Sequence, residues 1–192
     1  MKRSIFLLLA AIIATAAFAG ETPPRKVPVV TGTAPVIDGA VAKGEYAATF
    51  TDPGTGITVS WQADTAVLSC ALQSPGKGWL AIGFGSDGMN GADMAIAYVD
   101  TSGKWTVEEQ LGKSFFRHVR AEKQSLAAGA AALSQGRTVM EFAIPLAMPN
   151  GKAIGGAALP FILAYHKDKT SFSKHTKRSS GTMVLDPGSP KK

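Results

Sequence analysis

The stretch GWLAIGFGSDGMNGADMAIAYVD, residues 78–100, decides the fold. Its two apolar runs, 79–84 and 94–99, have the length of strands and are apolar on both faces, which is typical of strands at the centre of a sheet. The loop between them, 85–91, consists mainly of glycine, serine, aspartate and asparagine, which tolerate tight or left-handed backbone. Met89 stands within this loop, where a long apolar thioether has no ordinary turn role.

The rest of the chain consists of short segments of alternating apolar and polar residues, separated by turn residues. Further strands are predicted at residues 56–63, 66–73, 104–111, 114–122, 137–146, 160–166 and 181–186. Residues 126–133 are ambiguous by composition, and their glycine and short flanks favour a strand. With no long amphipathic helix, roughly 9–11 strands predict an all-β protein, a two-sheet β-sandwich.

The N-terminus has the pattern of a secretory signal peptide. Lys2 and Arg3 precede an apolar run of 15 residues, 5–19, which closes on the small-x-small pattern Ala17-Phe18-Ala19. This run is shorter than the roughly 20 residues that cross a bilayer as a helix. We therefore predict that residues 1–19 are cleaved after Ala19, which leaves a periplasmic or secreted protein without a transmembrane anchor. An uncleaved N-terminal anchor is the alternative.

The remaining chain has the length of one domain with a full core. Residues 20–35 are rich in proline and polar residues and are predicted to form an extended lead-in. The domain is predicted to span 36–186, and residues 187–192 to form a flexible tail. No internal repeat is visible.

Positive charge is concentrated near the C-terminus. The formal net charge is +6, and from Tyr165 onward seven lysines and arginines stand against two aspartates. An exported protein without a nucleic-acid motif is not expected to bind nucleic acid. A docking face for an acidic partner, or for a ligand with carboxylates, fits this segment better.

Cys70 is the only cysteine. It alternates with Leu68 and Leu72, which predicts a small buried side chain on a strand. A single cysteine excludes a disulfide framework, a multi-cysteine metal site and a covalently attached c-type haem.

Three sets of residues give the chain a resemblance to the DOMON family, from Val36 to Asp186. The first is I-D-G-x(5)-E-Y at 37–46, followed by a strand that contains Trp61. The second and most specific is G-W-L-A-I-G-F-x(3)-G-M-x-G-A-D at 78–93. The third is an ILAYH strand, followed by a histidine and R-x-x-G-T-M-V-L-D. The resemblance implies an immunoglobulin-like sandwich in a secreted or periplasmic protein that binds haem or, in some branches, sugars.

The haem branch of this family implies non-covalent haem b with axial methionine and histidine ligands, which match Met89 and His175. A thioether is a soft ligand that suits reduced iron. Gly88 and Gly91 would let the porphyrin edge approach the loop. Two alternatives remain: Met89 as a hydrophobic plug over the end of the core, and His175 as an ordinary solvated histidine.

Other residues near these motifs are candidates for the same site. His166, at the end of the ILAYH strand, is a rival to His175, whereas His118 is expected at the surface or at a sheet edge. In some relatives a lysine replaces the histidine, which makes Lys174 and Lys177 relevant. Further candidates for the haem propionates and the pocket wall are Lys174, Lys177, Arg178, Trp79, Phe84 and Met94.

The carboxylates Asp38, Glu45 and Asp93 are expected to be structural: Asp38 and Glu45 tie the N-terminal segment to the sheet, and Asp93 caps the turn before its strand. No nucleophile–base pair, catalytic pair of carboxylates or phosphate loop appears in the sequence. We therefore expect a protein that is not an enzyme but a b-type cytochrome domain, exchanging single electrons with a separate redox partner. The alternatives are a haem carrier or sensor and a carbohydrate-binding module, for which Trp105 is the main exposed aromatic candidate.

Overall fold

The computed structural model describes residues 23–148, 150–155 and 157–187. Within them the chain forms twelve strands in two sheets. The strands are β1 Arg25–Pro28, β2 Ala48–Thr51, β3 Thr58–Ala63, β4 Val67–Gln73, β5 Leu80–Phe84, β6 Asp93–Val99, β7 Trp105–Gly112, β8 His118–Arg120, β9 Ala128–Ser134, β10 Arg137–Pro145, β11 Leu159–Tyr165 and β12 Lys177–Asp186. This confirms the predicted all-β sandwich. The described residues contain no helix long and apolar enough to cross a membrane.

One sheet has seven strands in the order β1-β12-β11-β5-β6-β7-β8, and the other has five in the order β2-β3-β4-β10-β9. All neighbouring strands are antiparallel except β1 and β12, which are parallel. The strand–loop–strand unit at 78–100 supplies β5 and β6, which lie in the middle of the larger sheet. The ambiguous segment 126–133 is a strand, β9.

The core between the sheets is built from alternate residues of each strand. On β5 the inward residues are Leu80, Ile82 and Phe84, all fully buried. Trp61 of β3 packs edge-on against Phe161 of β11, with ring centroids 5.8 Å apart, and so joins the two sheets. Cys70 is also fully buried, as predicted, and burial raises the pKa of its thiol.

Part of the predicted lead-in belongs to the sandwich. Strand β1 pairs with the end of β12, and Val27 is fully buried in the core. The indole Nε1 of Trp61 donates a hydrogen bond to the Lys26 carbonyl oxygen at 3.0 Å. The sheet therefore begins well before Val36. The signal-peptide segment 1–19 and residues 188–192 of the tail lie outside the described residues.

The predicted strand at 114–122 is much shorter in the structure. Only His118–Arg120 pair with β7. The preceding residues form a turn, in which the Lys113 and Ser114 amides both donate to the Arg117 carbonyl oxygen. The apolar–polar alternation predicted too long a strand because it counted the two phenylalanines of this turn as residues on a strand face.

A buried carboxylate, Glu141 of β10, holds the segment before β2. Its Oε2 accepts hydrogen bonds from the amides of Asp38, Gly39 and Ala40 at 2.8–3.2 Å, and its Oε1 accepts one from the Tyr46 hydroxyl at 2.8 Å. The side chain is fully buried. Glu141 therefore makes the link to the sheet that the sequence suggested for Asp38 and Glu45.

Within the same segment, the hydrogen bonds that Asp38 and Glu45 accept from described residues all come from nearby amides. Asp38 Oδ1 accepts one from Ala40, and the two carboxylate oxygens of Glu45 accept from Val36 and Ala42. Both carboxylates are therefore structural, but they order the segment internally.

We expect Glu141→Gln to lower the free energy of unfolding by at least about 3 kcal/mol. The glutamine side chain carries no charge, and its NH2 group cannot accept a hydrogen bond. Four buried or half-buried groups donate to this side chain in the wild-type protein, so at least one of them would lose its acceptor. Urea unfolding followed by tryptophan fluorescence measures the change. Glu122→Gln, at an exposed position, is the matched control and should stay within about 0.5 kcal/mol of wild type. Equal stabilities for the two variants would contradict this role for Glu141.

Candidate functional site

A cavity of about 1000 Å³ lies on the outer face of the seven-stranded sheet, opposite the face that packs on the five-stranded sheet. This volume is at the upper end of the range for ligand pockets. Because side chains alternate along a strand, the residues between the core positions of β5, β6 and β11 point to this face. The floor is therefore made of small and apolar side chains: Ala81, Gly83, Met94, Ile96, Ile162 and Ala164.

Gly83 shows how closely this floor is packed. A Cβ at this position would lie 2.7 Å from Met94 Cγ and 3.0 Å from Ile162 Cγ1. The glycine therefore lets its two neighbours meet across β5. Together with Ala81 and Ala164, it keeps the floor low enough for a bound group to lie close to the sheet.

Met89 is held at one end of the cavity by a compact loop. Gly91 adopts a φ of +78°, and its amide donates to the Gly112 carbonyl oxygen at 3.0 Å. The Ser86 hydroxyl donates across the loop to the Asn90 carbonyl oxygen at 2.9 Å. A Cβ at Gly112 would lie only 1.6 Å from the Met89 carbonyl oxygen, so the loop rests directly on the end of β7. Met89 is half-buried and lines the cavity.

His175 enters the cavity from the segment between β11 and β12. The Thr176 amide donates to the Tyr165 carbonyl oxygen at 2.8 Å, which fixes the end of this segment. Trp79 Nε1 donates to Ser173 Oγ at 3.3 Å and ties the segment to the cavity wall. Burial, and then the charges of Arg178 and Lys174, lower the pKa of His175. The imidazole is therefore neutral at pH 7 and has a lone pair available.

His118 lies at a sheet edge, as expected, and it also lines the cavity, which the sequence did not predict. It begins the edge strand β8, but its half-buried ring lies against Phe172, with centroids 5.0 Å apart at 90°. Its Nδ1 is 2.7 Å from Gln110 Oε1. Burial lowers the pKa of His118, which the charge of Glu108 only partly offsets.

His166, the predicted rival of His175, is not part of the cavity lining. Its Nδ1 accepts hydrogen bonds from the amides of Asp168 and Lys169, at 3.0 and 2.8 Å. The ring therefore caps the turn that follows β11. This is a structural role, and it commits one ring nitrogen to the backbone.

The structure separates the other predicted site residues into two groups. Those that line the cavity are Trp79, Gly88, Met89, Met94, Lys174, His175 and Arg178. Phe84 does not, because it points into the core, where it packs against Phe142 at 6.4 Å. Lys177 precedes Arg178 on β12 and faces the other way. Gly91 shapes the loop without lining the cavity.

Three phenylalanines that the sequence analysis did not assign to the site surround its mouth. Phe115 and Phe116 lie in the turn before β8 and are 75% and 96% exposed, and Phe172 is 42% exposed. Large apolar side chains with this exposure are unusual unless a ligand or partner covers them. Two adjacent phenylalanines between Lys113 and Arg117 were the signal in the sequence.

Asp93 faces away from the cavity and is not a backbone cap. Neither of its oxygens accepts a hydrogen bond from a described residue. Burial, and then a hydrogen bond and charge interaction with Glu109, raise the pKa of Asp93 to about 7. Burial would also raise the pKa of Glu109, but hydrogen bonds from Ser125, Asn150 and Asp93 outweigh it and lower the pKa. Below pH 7 Asp93 is therefore a neutral acid beside the ionised Glu109.

This pair should make stability depend on pH. Between pH 4 and 7 the folded state keeps a proton on Asp93 that the unfolded state releases, so the free energy of unfolding should fall as pH rises, by about 2–4 kcal/mol. Asp93→Asn keeps a donor for Glu109 and cannot ionise. The variant should lose this dependence in urea unfolding curves measured from pH 4 to 8. A wild-type slope that persists in the variant would refute the assignment.

The chain is similar to known proteins in its sequence family and in its fold. The family model described as DOMON domain matches residues 53–166, more than half of the chain. No curated protein matches the sequence. Among solved structures, the cytochrome domain of Myriococcum thermophilum cellobiose dehydrogenase is similar with a TM-score of 0.51 and 14% identity, over 72% of this chain and 88% of that one.

Two further solved structures are similar to the chain. The cytochrome b domain of pyranose dehydrogenase from Coprinopsis cinerea has a TM-score of 0.50 and 12% identity, over 70% of this chain and 80% of that one. A carbohydrate binding module family 9 from Caldicellulosiruptor kristjanssonii, in complex with glucose, has a TM-score of 0.47 and 14% identity, over 87% of this chain and 98% of that one. At these identities the cytochrome domains show a shared fold, and the third likeness is too weak to support an argument.

Proposed function

The chain belongs to the DOMON domain family, and from this premise we propose that it is an exported b-type cytochrome domain. It binds one non-covalent haem b in the cavity, with Met89 and His175 as axial ligands, and exchanges single electrons with a separate redox protein. Export follows from the predicted signal peptide, with Gly20 as the first mature residue.

The chemistry of the cavity is the observation that carries the proposal. Its floor is apolar and offers few hydrogen-bonding groups to a sugar, whereas a porphyrin needs an apolar surface of this kind. Three exposed phenylalanines at its mouth would be covered by a large apolar ligand. Trp105, the main candidate for a sugar platform, is half-buried and packs on the core instead.

The donor set also fits a haem. The cavity lining brings together a thioether, Met89, and a neutral imidazole, His175, from two different loops. Such a pair stabilises reduced iron relative to two histidines, and bound haem would supply a one-electron couple at the protein surface. With both axial positions filled by protein, small molecules would not reach the iron, which favours an electron carrier over an oxygen-binding enzyme.

Basic side chains would complete the site. Lys174 and Arg178 line the cavity and are exposed, which suits ion pairs with two propionates. Lys177 faces away and is free to contribute to the surface outside the cavity. Together with the other cations near the C-terminus, it favours a redox partner with an acidic docking face.

Haem binding and the histidine assignment are tested together. The purified protein should bind one haem per chain in a hemin titration and give a low-spin spectrum when oxidised and when reduced. We expect His175→Ala to become high-spin or to lose haem. His166→Asn is the matched control: its amide oxygen can cap the same turn, and its spectrum should equal that of wild type. A spectral change in His166→Asn with none in His175→Ala would reverse the assignment.

The same preparation tests the alternative ligand. A protein that stays colourless with hemin but binds an oligosaccharide in calorimetry is a carbohydrate-binding module. Haem that exchanges rapidly with an apo-protein acceptor would point instead to a carrier.

Met89 should set the reduction potential. Methionine raises the potential of a haem relative to a second histidine. A Met89→His variant that remains low-spin should therefore have a potential lower by about 100 mV or more, at 59 mV for each tenfold change in the equilibrium constant. Spectroelectrochemical titration measures it. An unchanged or higher potential would show that Met89 does not bind the iron.

A further inference from the structure

His118 and Met89 approach the cavity from the same end. His118 is the cross-strand partner of Gly112, the last residue of β7. The Met89 carbonyl oxygen lies directly over this glycine, where a Cβ would be only 1.6 Å away. Both side chains line the cavity, whereas His175 enters it from the segment before β12. Gly112 therefore lies between the Met89 backbone and His118, and both possible ligands reach the cavity from the same end.

A chain of polar side chains fixes which nitrogen of His118 has the lone pair. Arg120 forms an ion pair with Glu108 at 3.1 Å, and the carboxylate of Glu108 serves as a hydrogen-bond acceptor. The Gln110 amide nitrogen donates to Glu108, so its amide oxygen faces the imidazole. His118 Nδ1 must then carry the proton that it donates to Gln110 Oε1 at 2.7 Å. The lone pair is on Nε2.

This arrangement is the one that metal-binding histidines show in proteins. One ring nitrogen donates to an oxygen that fixes the tautomer and the orientation, and the other binds the metal. The ring of Phe172 packs edge-on against the imidazole and limits its rotation. His175 has no comparable hydrogen bond to another residue among those that the structure describes.

We propose that His118 is a third side chain of this cavity that can ligate iron, in the place of Met89 and together with His175. The inference rests on the proposed haem function. Such an exchange would break an iron–sulfur bond to Met89 and form an iron–nitrogen bond to His118 Nε2. Both donors are neutral, so no electron is transferred and no proton is released. The cavity would therefore hold the iron with either of two ligand pairs, and the histidine pair has the lower potential.

The test removes Met89 and asks whether His118 replaces it. Met89→Leu conserves an apolar side chain of similar size but cannot bind iron, and we expect it to stay low-spin with the spectrum of two histidines. The double variant Met89→Leu/His118→Ala should become high-spin. Met89→Leu/His166→Asn is the matched control, because it alters a histidine outside the cavity, and it should match Met89→Leu. Electron paramagnetic resonance and visible spectra distinguish these states.

Other outcomes overturn the proposal in distinguishable ways. A wild-type protein that is low-spin, with Met89→Leu high-spin or free of haem, refutes the role of His118 and leaves the proposed function standing. A wild-type protein that binds no haem refutes both. A separate measurement uses the haem-free protein: nitrogen-15 NMR should find the His118 proton on Nδ1, and a proton on Nε2 would refute the hydrogen-bond chain from which the inference starts.

Discussion

The structure depends on a sheet that is apolar on both faces. Strand β5 presents large side chains such as Ile82 to the five-stranded sheet and the small Ala81 and Gly83 to the outside, whereas β6 presents alanines inward and Met94 and Ile96 outward. The second sheet can cover only one of these faces. The other face, because it is apolar and only partly covered by loops, forms the floor of a cavity. A bound apolar group would cover the part of this outer face that the loops leave exposed.

The loops around this floor are ordered by backbone contacts rather than by the ligand they would bind. The loop that carries Met89 rests on Gly112, and the segment that carries His175 is held by Trp79 and by the end of β11. His118 is oriented by Gln110. Candidate ligands are thus in place on a scaffold of strands, which lowers the entropic cost of binding.

Buried carboxylates are accommodated in two different ways. Glu141 remains a full acceptor, since three amides and a hydroxyl surround it. Asp93 has no donor among the described residues, and burial and the neighbouring Glu109 raise its pKa to about 7, so it stays protonated below neutral pH. Asp93 lies on the inner face of the seven-stranded sheet, whereas Glu141 alternates with the core residues Met140 and Phe142 and lies on the outer face of the five-stranded sheet, under the segment before β2. In either place an ionised group without donors would be costly.

The sequence by itself determined most of the strands and the family, because alternation and turn residues act over a few neighbouring positions. The sequence also contained a constraint that the predicted pocket wall did not respect. Trp79 and Phe84 are five positions apart in one extended run, an odd spacing that directs their side chains to opposite faces. Only the tertiary structure decided which face is the core, because both faces of β5 are apolar. The pairing of His118 with Gly112, the cap made by His166 and the buried role of Glu141 likewise depend on contacts between distant segments, to which local patterns are blind.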